Sequence, residues 1–208
     1  MSIPTQATKP SPPEFDASAW LTANCFGASR LRAETVRAIS NFTLMWNLFE
    51  GVLCHGGANT SVLETVAEQV VQRCRHTNKP VDVQPFLSFW KFRYLTTDGF
   101  NKRFESLNFR RPDRRAHVEA VLRGEQAEPE AELLATLIVV YRLRDNLFHG
   151  LKTIAKLNDQ VANLNMASRA LAYVMESSGN HIIEPTVERR QLVASQGLNP
   201  PRTDNEQT

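Results

Sequence analysis

The residues best suited to chemistry lie in the segment YRLRDNLFHGLK, residues 141–152, which ends the most hydrophobic stretch of the chain. It brings Arg144, Asp145 and His149 close together in sequence. Histidine titrates near neutral pH, so it can accept or donate a proton in a reaction. A guanidinium can bind an anion through two parallel hydrogen bonds. The segment therefore has the residue types for acid–base chemistry beside a bound anion.

A helix predicted over residues 127–150 must position these side chains. Its apolar rows contain Leu134, Ile138 and Tyr141, and steps of three and four residues carry the same face on to Asp145. A buried charge is costly unless it is paired. A purely structural interpretation is therefore open, in which Arg144 and Asp145 satisfy each other or pair with Glu50. A histidine before a glycine is also common at a helix end.

Hydrophobic periodicity predicts an all-α bundle of about five or six helices and no β-α-β alternation. The predicted helices cover residues 34–54, 61–74, 84–95, 112–124, 127–150 and 159–177. Thr60 or Ser61 is the expected cap of the second helix, with Glu64 completing a capping box. The aromatic residues of 84–95 would also suit a strand.

Composition indicates one globular domain: 208 residues, 42% hydrophobic, with a net charge of +2. Proline-rich, polar ends predict disordered tails at 1–16 and 185–208 around a domain at 17–184. The N-terminus does not resemble a signal peptide, and no apolar run is long enough to span a membrane. The three cysteines lack a disulfide spacing. These features predict a cytoplasmic protein with no membrane contact.

The motif Arg-Asp-x-x-x-His-Gly after an apolar helix resembles the Arg-x4–6-His signature of the HEPN superfamily, in particular its Apea-like subgroup. A second segment, FTLMWNLFEGVL, residues 42–53, is similar to the aromatic helix with a Trp-x-x-x-Glu element that opens such domains, and it places Trp46 and Glu50. The resemblance covers about residues 30–180 and implies the same helical bundle.

The resemblance implies a metal-independent endoribonuclease that leaves 2′,3′-cyclic phosphate and 5′-hydroxyl ends. RNA supplies its own nucleophile, the 2′-hydroxyl, so no cofactor is expected. His149 would be the general acid and base, and Arg144 would hold the phosphate. Asp145 would orient His149 or hold Arg144, with Glu50 and Asn146 in support. The implied setting is a toxin–antitoxin pair or phage defence, with an antitoxin or regulatory protein as a further partner.

The spacing of the motif also predicts a homodimer. At roughly 100° per residue, Arg144 and His149 lie about 140° apart around a straight helix. Two chains related by a two-fold axis can combine the two side chains in one composite site. We therefore expect helix 127–150 to lie near that axis.

A basic segment at residues 91–115 contains eight Lys or Arg and three Asp or Glu, interleaved with aromatic residues. This pattern suits single-stranded RNA, and it nominates four RNA-binding residues: Arg110, Arg111, Arg114 and Arg115. The aromatic side chains fit a core equally well. The pairs Cys54–His55 and Cys74–His76 lack the usual spacing of zinc ligands, so no metal site is predicted.

Two other functions are compatible with the sequence. One is a non-catalytic HEPN module that binds RNA, a nucleotide or a protein partner. The other is a structural helical interaction protein in which Arg144 and Asp145 form an ion pair.

Overall fold

The computed structural model describes residues 14–25, 27–148 and 154–179. The described chain is all-α apart from one antiparallel hairpin, which confirms the predicted fold class. The elements are, in chain order, α1 (Ala17–Asn24), α2 (Ala33–Leu53), α3 (Thr60–His76), α4 (Gln84–Tyr94), β1 (Leu95–Thr96), β2 (Gly99–Phe100), α5 (Lys102–Glu105), α6 (Arg115–Arg123), α7 (Pro129–Phe148), α8 (Ile154–Leu157) and α9 (Val161–Ser178). Short 3₁₀ turns occupy Ala28–Arg30, Arg111–Asp113 and Asn158–Gln160. Most of the two predicted tails lies outside the described residues.

Helix α7 is the central element of the fold. Every residue from Leu133 to Leu143 is buried, so this helix is enclosed on all sides rather than along one stripe. Helices α3, α6 and α9 pack against it, while α2 lies along α9. An element hydrophobic all round is the natural centre of a bundle. The apolar run that dominates the sequence therefore becomes the axis of the core.

Helix α2 supplies the aromatic wall that faces the end of α7. Phe42, Trp46 and Phe49 recur at helical spacing and are buried, as the sequence predicts. The Trp46 ring lies 6.0 Å from the ring of Tyr141 on α7, measured between centroids. The aromatic helix predicted over 84–95 is also confirmed, and the hairpin begins where it ends.

Two local predictions are wrong. The cap of α3 is Asn59 rather than Thr60 or Ser61, because the Asn59 side chain accepts hydrogen bonds from the backbone of Ser61 (3.0 Å) and Val62 (3.1 Å). The expected capping box is absent there, since Glu64 pairs with Arg114 instead.

The helix predicted over 112–124 is divided. Pro112 lies in a 3₁₀ turn, and Arg114 then takes a left-handed backbone conformation (φ 52°) before α6 begins at Arg115. The buried Asp113 carboxylate closes the turn by accepting the Arg110 backbone N–H at 2.6 Å. A side-chain contact with the backbone thus replaces the first helical turn. In the described ranges, no helix combines the length and the apolar character needed to cross a membrane.

Candidate functional site

A buried arginine, Arg142, organises the polar region at the C-terminal end of α7. It is only 2% exposed. Its Nη1 atom donates to Asp145 Oδ2 at 2.8 Å and lies 3.0 Å from Asp113 Oδ2. Its other nitrogens donate to the backbone oxygens of Leu107 (3.2 Å) and Asn108 (2.7 Å). The guanidinium is therefore fully engaged and holds the segment before α6 against α7.

Asp145 is the shared acceptor of this region. It is 3% exposed, and three arginines surround it. Besides Arg142, Arg144 donates from Nη1 to Oδ1 at 3.1 Å, and Arg110 Nη2 lies 2.6 Å from Oδ2. The three guanidinium groups occupy most of the hydrogen-bonding positions of this carboxylate. Asp145 does contact Arg144, as one of its two predicted roles requires, while the other role, orienting His149, stays a prediction.

Arg110 comes from the basic segment and meets the α7 residues at the surface. Its side chain is half exposed, and its Nη2 donates to the Tyr141 hydroxyl at 3.2 Å. Burial lowers the pKa of Arg110, but the hydrogen bond to Tyr141 and the charges of Asp145 and Asp113 together raise it above its usual value. Arg110 is therefore a permanently charged group beside Arg144.

Arg144 lies in an aromatic and acidic setting. Its guanidinium carbon is 5.6 Å from the Trp46 ring centre and 5.4 Å from that of Phe148, within the range of cation–π attraction. Its Nη2 atom is 3.7 Å from Glu50 Oε2, an ion pair too long for a hydrogen bond. Its Nε is buried and has no hydrogen-bond partner among the described residues. Arg144 is thus held in place while part of its donor capacity is unused.

Glu50 connects the site to α2. Its Oε2 accepts from the Trp46 indole N–H at 2.9 Å, and its Oε1 accepts from the Ala58 backbone at 3.1 Å. These bonds fix the carboxylate on the Arg144 side of the helix. Around the site, three carboxylates (Asp113, Asp145 and Glu50) face three arginines (Arg110, Arg142 and Arg144), so the formal charges balance.

Asn146, predicted as a supporting residue, acts on the backbone. Its buried amide nitrogen donates to the carbonyl oxygens of Ser106 (3.1 Å) and Leu107 (3.0 Å). Together with Arg142 it fastens the segment that carries Arg110 onto α7. These contacts help to position the site.

The four arginines of the predicted RNA-binding patch have different partners. Arg114 forms a bidentate pair with Glu64, and Arg115 forms one with Glu105 and a further bond to Glu119. Arg111 is exposed, with no ion pair among the described residues. Only Arg110 joins the Arg144 region.

The aromatic side chains of the basic segment differ in their exposure. Tyr94 and Phe104 are buried in the core, whereas Phe92 is exposed.

His149 lies outside the described residues, immediately after the last described residue of α7. Its distance from Arg144, on which the composite-site prediction depends, therefore stays a prediction. Within the described ranges, no group of three or more His, Cys, Asp or Glu is arranged to hold a metal ion. Burial, followed by the nearby charge of Glu50, raises the pKa of the Cys54 thiol to about 12, so this thiol is neutral at physiological pH.

Sequence reasoning missed Arg142, Asp113 and Tyr141 as members of the site. Arg142 precedes Asp145 by three residues, a spacing that places two side chains on one helical face. That spacing could have predicted the Arg142–Asp145 pair, because an arginine inside an apolar helix requires an acidic partner. Asp113 gave no such signal, since its proximity arises only from the tertiary fold.

Comparison of the chain with protein-family models, with curated proteins and with solved structures yields no match. The function of the chain is therefore inferred from the geometry of the site and from the resemblance of the motif.

Proposed function

We propose that the protein is a metal-independent endoribonuclease of the HEPN type. The observation that carries the proposal is the convergence of Arg144 and Arg110 on Asp145, at the end of the buried helix that leads directly to His149. Phosphodiester transesterification requires an acid–base residue and positive charge for the phosphate; the two arginines supply the charge, and His149 follows their helix directly in sequence.

In this mechanism His149 removes the proton of the 2′-hydroxyl, which attacks the adjacent phosphorus. The P–O5′ bond breaks, and the protonated imidazole supplies a proton to the departing 5′-oxygen. Arg144, whose side chain is 29% exposed, stabilises the added negative charge on the phosphoryl oxygens through its guanidinium. Asp145 keeps Arg144 in position. The half-exposed Arg110 supplies a second positive charge for the phosphate.

A dimer interface would involve only the C-terminal end of α7. Its middle is covered by other helices, while Phe148 is 52% exposed and Arg144 keeps 29% of its side-chain surface. A two-fold axis beside these residues brings two Arg144–Arg110 pairs together. The RNA substrate, the homodimer, the cytoplasmic location and an antitoxin or regulatory partner in a defence setting belong to this proposal.

The structural alternative has its own support. Asp145 and Arg142 have all their charges paired, as expected of a network that only stabilises a helical interaction protein. A non-catalytic RNA-binding module would retain RNA affinity through the same arginines.

The test is incubation of the purified protein with total RNA in EDTA, with analysis of the product ends. We expect 2′,3′-cyclic phosphate and 5′-hydroxyl ends. His149→Ala should reduce the cleavage rate about 10²–10⁴-fold, the usual contribution of a general acid or base. Arg144→Gln should reduce it about 10²–10³-fold, as for loss of a transition-state donor.

Two exposed residues provide matched controls: His76→Ala and Arg37→Gln make the same chemical changes away from the site. Both should cleave normally. Binding of RNA without cleavage would select the non-catalytic module. A harmless His149→Ala together with an unfolded Arg144→Gln would select the structural alternative.

A further inference from the structure

A polar cavity of about 690 Å³ lies on the other side of the C-terminal half of α7, away from Arg144. Leu143 and Asn146 of α7 form part of its wall, and the remaining lining comes from α4, from the segment around α5 and from the start of α9. Its volume is within the range of small-molecule sites, which is roughly 300–1,000 Å³.

Several buried polar atoms at this cavity have no hydrogen-bond partner among the described residues. Five such side-chain atoms occur in the described part of the chain, and three of them belong to residues that line this cavity: Arg93 Nε, Tyr94 Oη and Asn163 Oδ1. Tyr94 is 1% exposed and Asn163 is 3% exposed. Because an unpaired buried polar group is unfavourable, their concentration on one cavity indicates that a ligand supplies the missing bonds.

The Tyr94 hydroxyl is suited to donating a hydrogen bond. Burial raises the pKa of Tyr94, and the neighbouring Arg93 charge and side chain lower it by less, so the hydroxyl keeps its proton at neutral pH. Arg93 lies near this hydroxyl, but neither Arg93 Nε nor Tyr94 Oη makes a well-formed hydrogen bond. Arg93 Nη2 donates to the Asp159 carbonyl at 3.2 Å, which fixes the guanidinium at the cavity.

The charges of the lining favour an anion. Arg93, Arg103 and Lys156 contribute three cations. Of the two acids in the lining, Glu105 is neutralised by its bidentate pair with Arg115, which lowers the pKa of this carboxyl. Asp159 is exposed and has no ion-pair partner within the described ranges.

We propose that this cavity binds a small phosphorylated molecule. Arg103 and Lys156 would hold the phosphate at the mouth, and Arg93 and Tyr94 would donate to it from the interior. The Asn163 oxygen would accept from a hydroxyl or amino group of the same ligand. This assignment is independent of RNA cleavage, because none of the cavity's cations belongs to the Arg144 region.

The test is isothermal titration calorimetry of the full chain with ribose 5-phosphate, with neutral ribose and inorganic phosphate as comparisons. Ribose 5-phosphate should bind, inorganic phosphate should compete with it, and ribose alone should not bind. Arg103→Gln should weaken binding about tenfold, since a charge-assisted hydrogen bond is lost. Tyr94→Phe should weaken it about threefold, because only a neutral donor is removed.

The control variants make the same substitutions elsewhere. Arg37→Gln removes an exposed arginine from α2, and Tyr173→Phe removes a hydroxyl that is already bonded to the Asp82 backbone. Both should bind ribose 5-phosphate like the unaltered protein, and circular dichroism should show all four variants folded.

Three results would overturn the assignment. One is the absence of ribose 5-phosphate binding at millimolar concentration, and another is equal weakening by Arg37→Gln and Arg103→Gln. The third is displacement of ribose 5-phosphate by an oligouridylate whose own binding requires Arg103, which would assign the cavity to RNA.

Discussion

Two polar regions flank the C-terminal half of α7, and they differ in how completely their polar atoms are paired. Around Asp145, carboxylates and arginines balance, and nearly every donor has an acceptor. In the cavity on the other side, Tyr94 Oη and Asn163 Oδ1 have no hydrogen-bond partner among the described residues. Asn146 belongs to both regions, since it lines the cavity and donates to the segment that Arg142 also holds.

Buried polar groups therefore have two different roles in these regions. A closed network, in which buried polar groups pair with each other, holds a chain segment in one conformation. Removing one member is strongly destabilising, because its partners are left buried and unpaired. An unpaired group stabilises nothing by itself and becomes favourable only when a ligand satisfies it. Arg144 shows both situations, because Asp145 restrains its Nη1 while its Nε has no hydrogen-bond partner in the part of the chain that the structure describes.

Breaking the closed network should produce the largest effect. Arg142→Met leaves Asp113 and Asp145 buried without their central cation, and we expect a loss of about 3–5 kcal/mol in the free energy of unfolding. Urea denaturation measures the loss. The control is Arg114→Met, which removes the partly exposed pair with Glu64 and should cost at most about 1 kcal/mol. Equal losses would show that burial adds nothing to the Arg142 network.

A smaller loss should follow when the link between the two regions is cut. Asn146→Leu keeps the branching and length of the side chain but removes the donor to the Ser106 and Leu107 carbonyls. We expect a destabilisation of about 1–3 kcal/mol, the cost of leaving buried groups unsatisfied. Asn47→Leu on the exposed face of α2 is the control and should change stability by no more than about 0.5 kcal/mol. An unfolding midpoint for Asn146→Leu that equals that of the control would refute a positioning role for Asn146.

Two tyrosines differ in whether the hydroxyl has a hydrogen-bond partner among the described residues. Removing the unpaired hydroxyl in Tyr94→Phe should leave the ligand-free protein as stable as before, or more stable. Removing the bonded hydroxyl in Tyr173→Phe should cost about 0.5–1.5 kcal/mol, because the Asp82 N–H loses its acceptor at 2.7 Å. Thermal unfolding without ligand distinguishes the two variants. A clear destabilisation by Tyr94→Phe would mean that its hydroxyl already has a partner.

The fold could be predicted from sequence because its helices carry strong local signals. The apolar run of α7 and the spacing of Phe42, Trp46 and Phe49 on α2 are such signals. The short elements near α5 were not predicted, since single turns and two-residue strands have too few residues to show periodicity. The cap of α3 was misassigned because adjacent Asn, Thr and Ser residues are all suitable caps.

The candidate site was predictable only in part. Arg144, Asp145 and Glu50 were nominated from the motif and do lie in contact. The partners of the patch arginines could not be predicted, because proximity in sequence does not fix the direction of a side chain: Arg114 pairs with Glu64 on α3 and Arg115 with Glu105 on α5. Asp113 and the cavity atoms depend on long-range packing, and no pattern within one segment encodes them.

The smallest effect should come from the exposed Glu105–Arg115 pair, which provides the contrast to Asp145. The hydrogen bond from Arg115 lowers the pKa of Glu105, so the folded state binds this proton less tightly than the unfolded chain. The stabilisation is therefore present above the unfolded pKa of about 4.3 and disappears as the pH falls through the lower folded value.

A double-mutant cycle with Glu105→Gln and Arg115→Gln measures this coupling, which we expect to be at most about 1 kcal/mol at pH 7. It should shrink further in salt of about 1 M, where the screening length is near 3 Å. The loss caused by Arg142→Met should persist in the same salt, because buried pairs are screened much less. If high salt abolished both the Glu105–Arg115 coupling and the loss caused by Arg142→Met, the Arg142 network would be as exposed to solvent as the surface pair. The distinction between the buried, fully paired network around Asp145 and exposed polar groups would then be wrong.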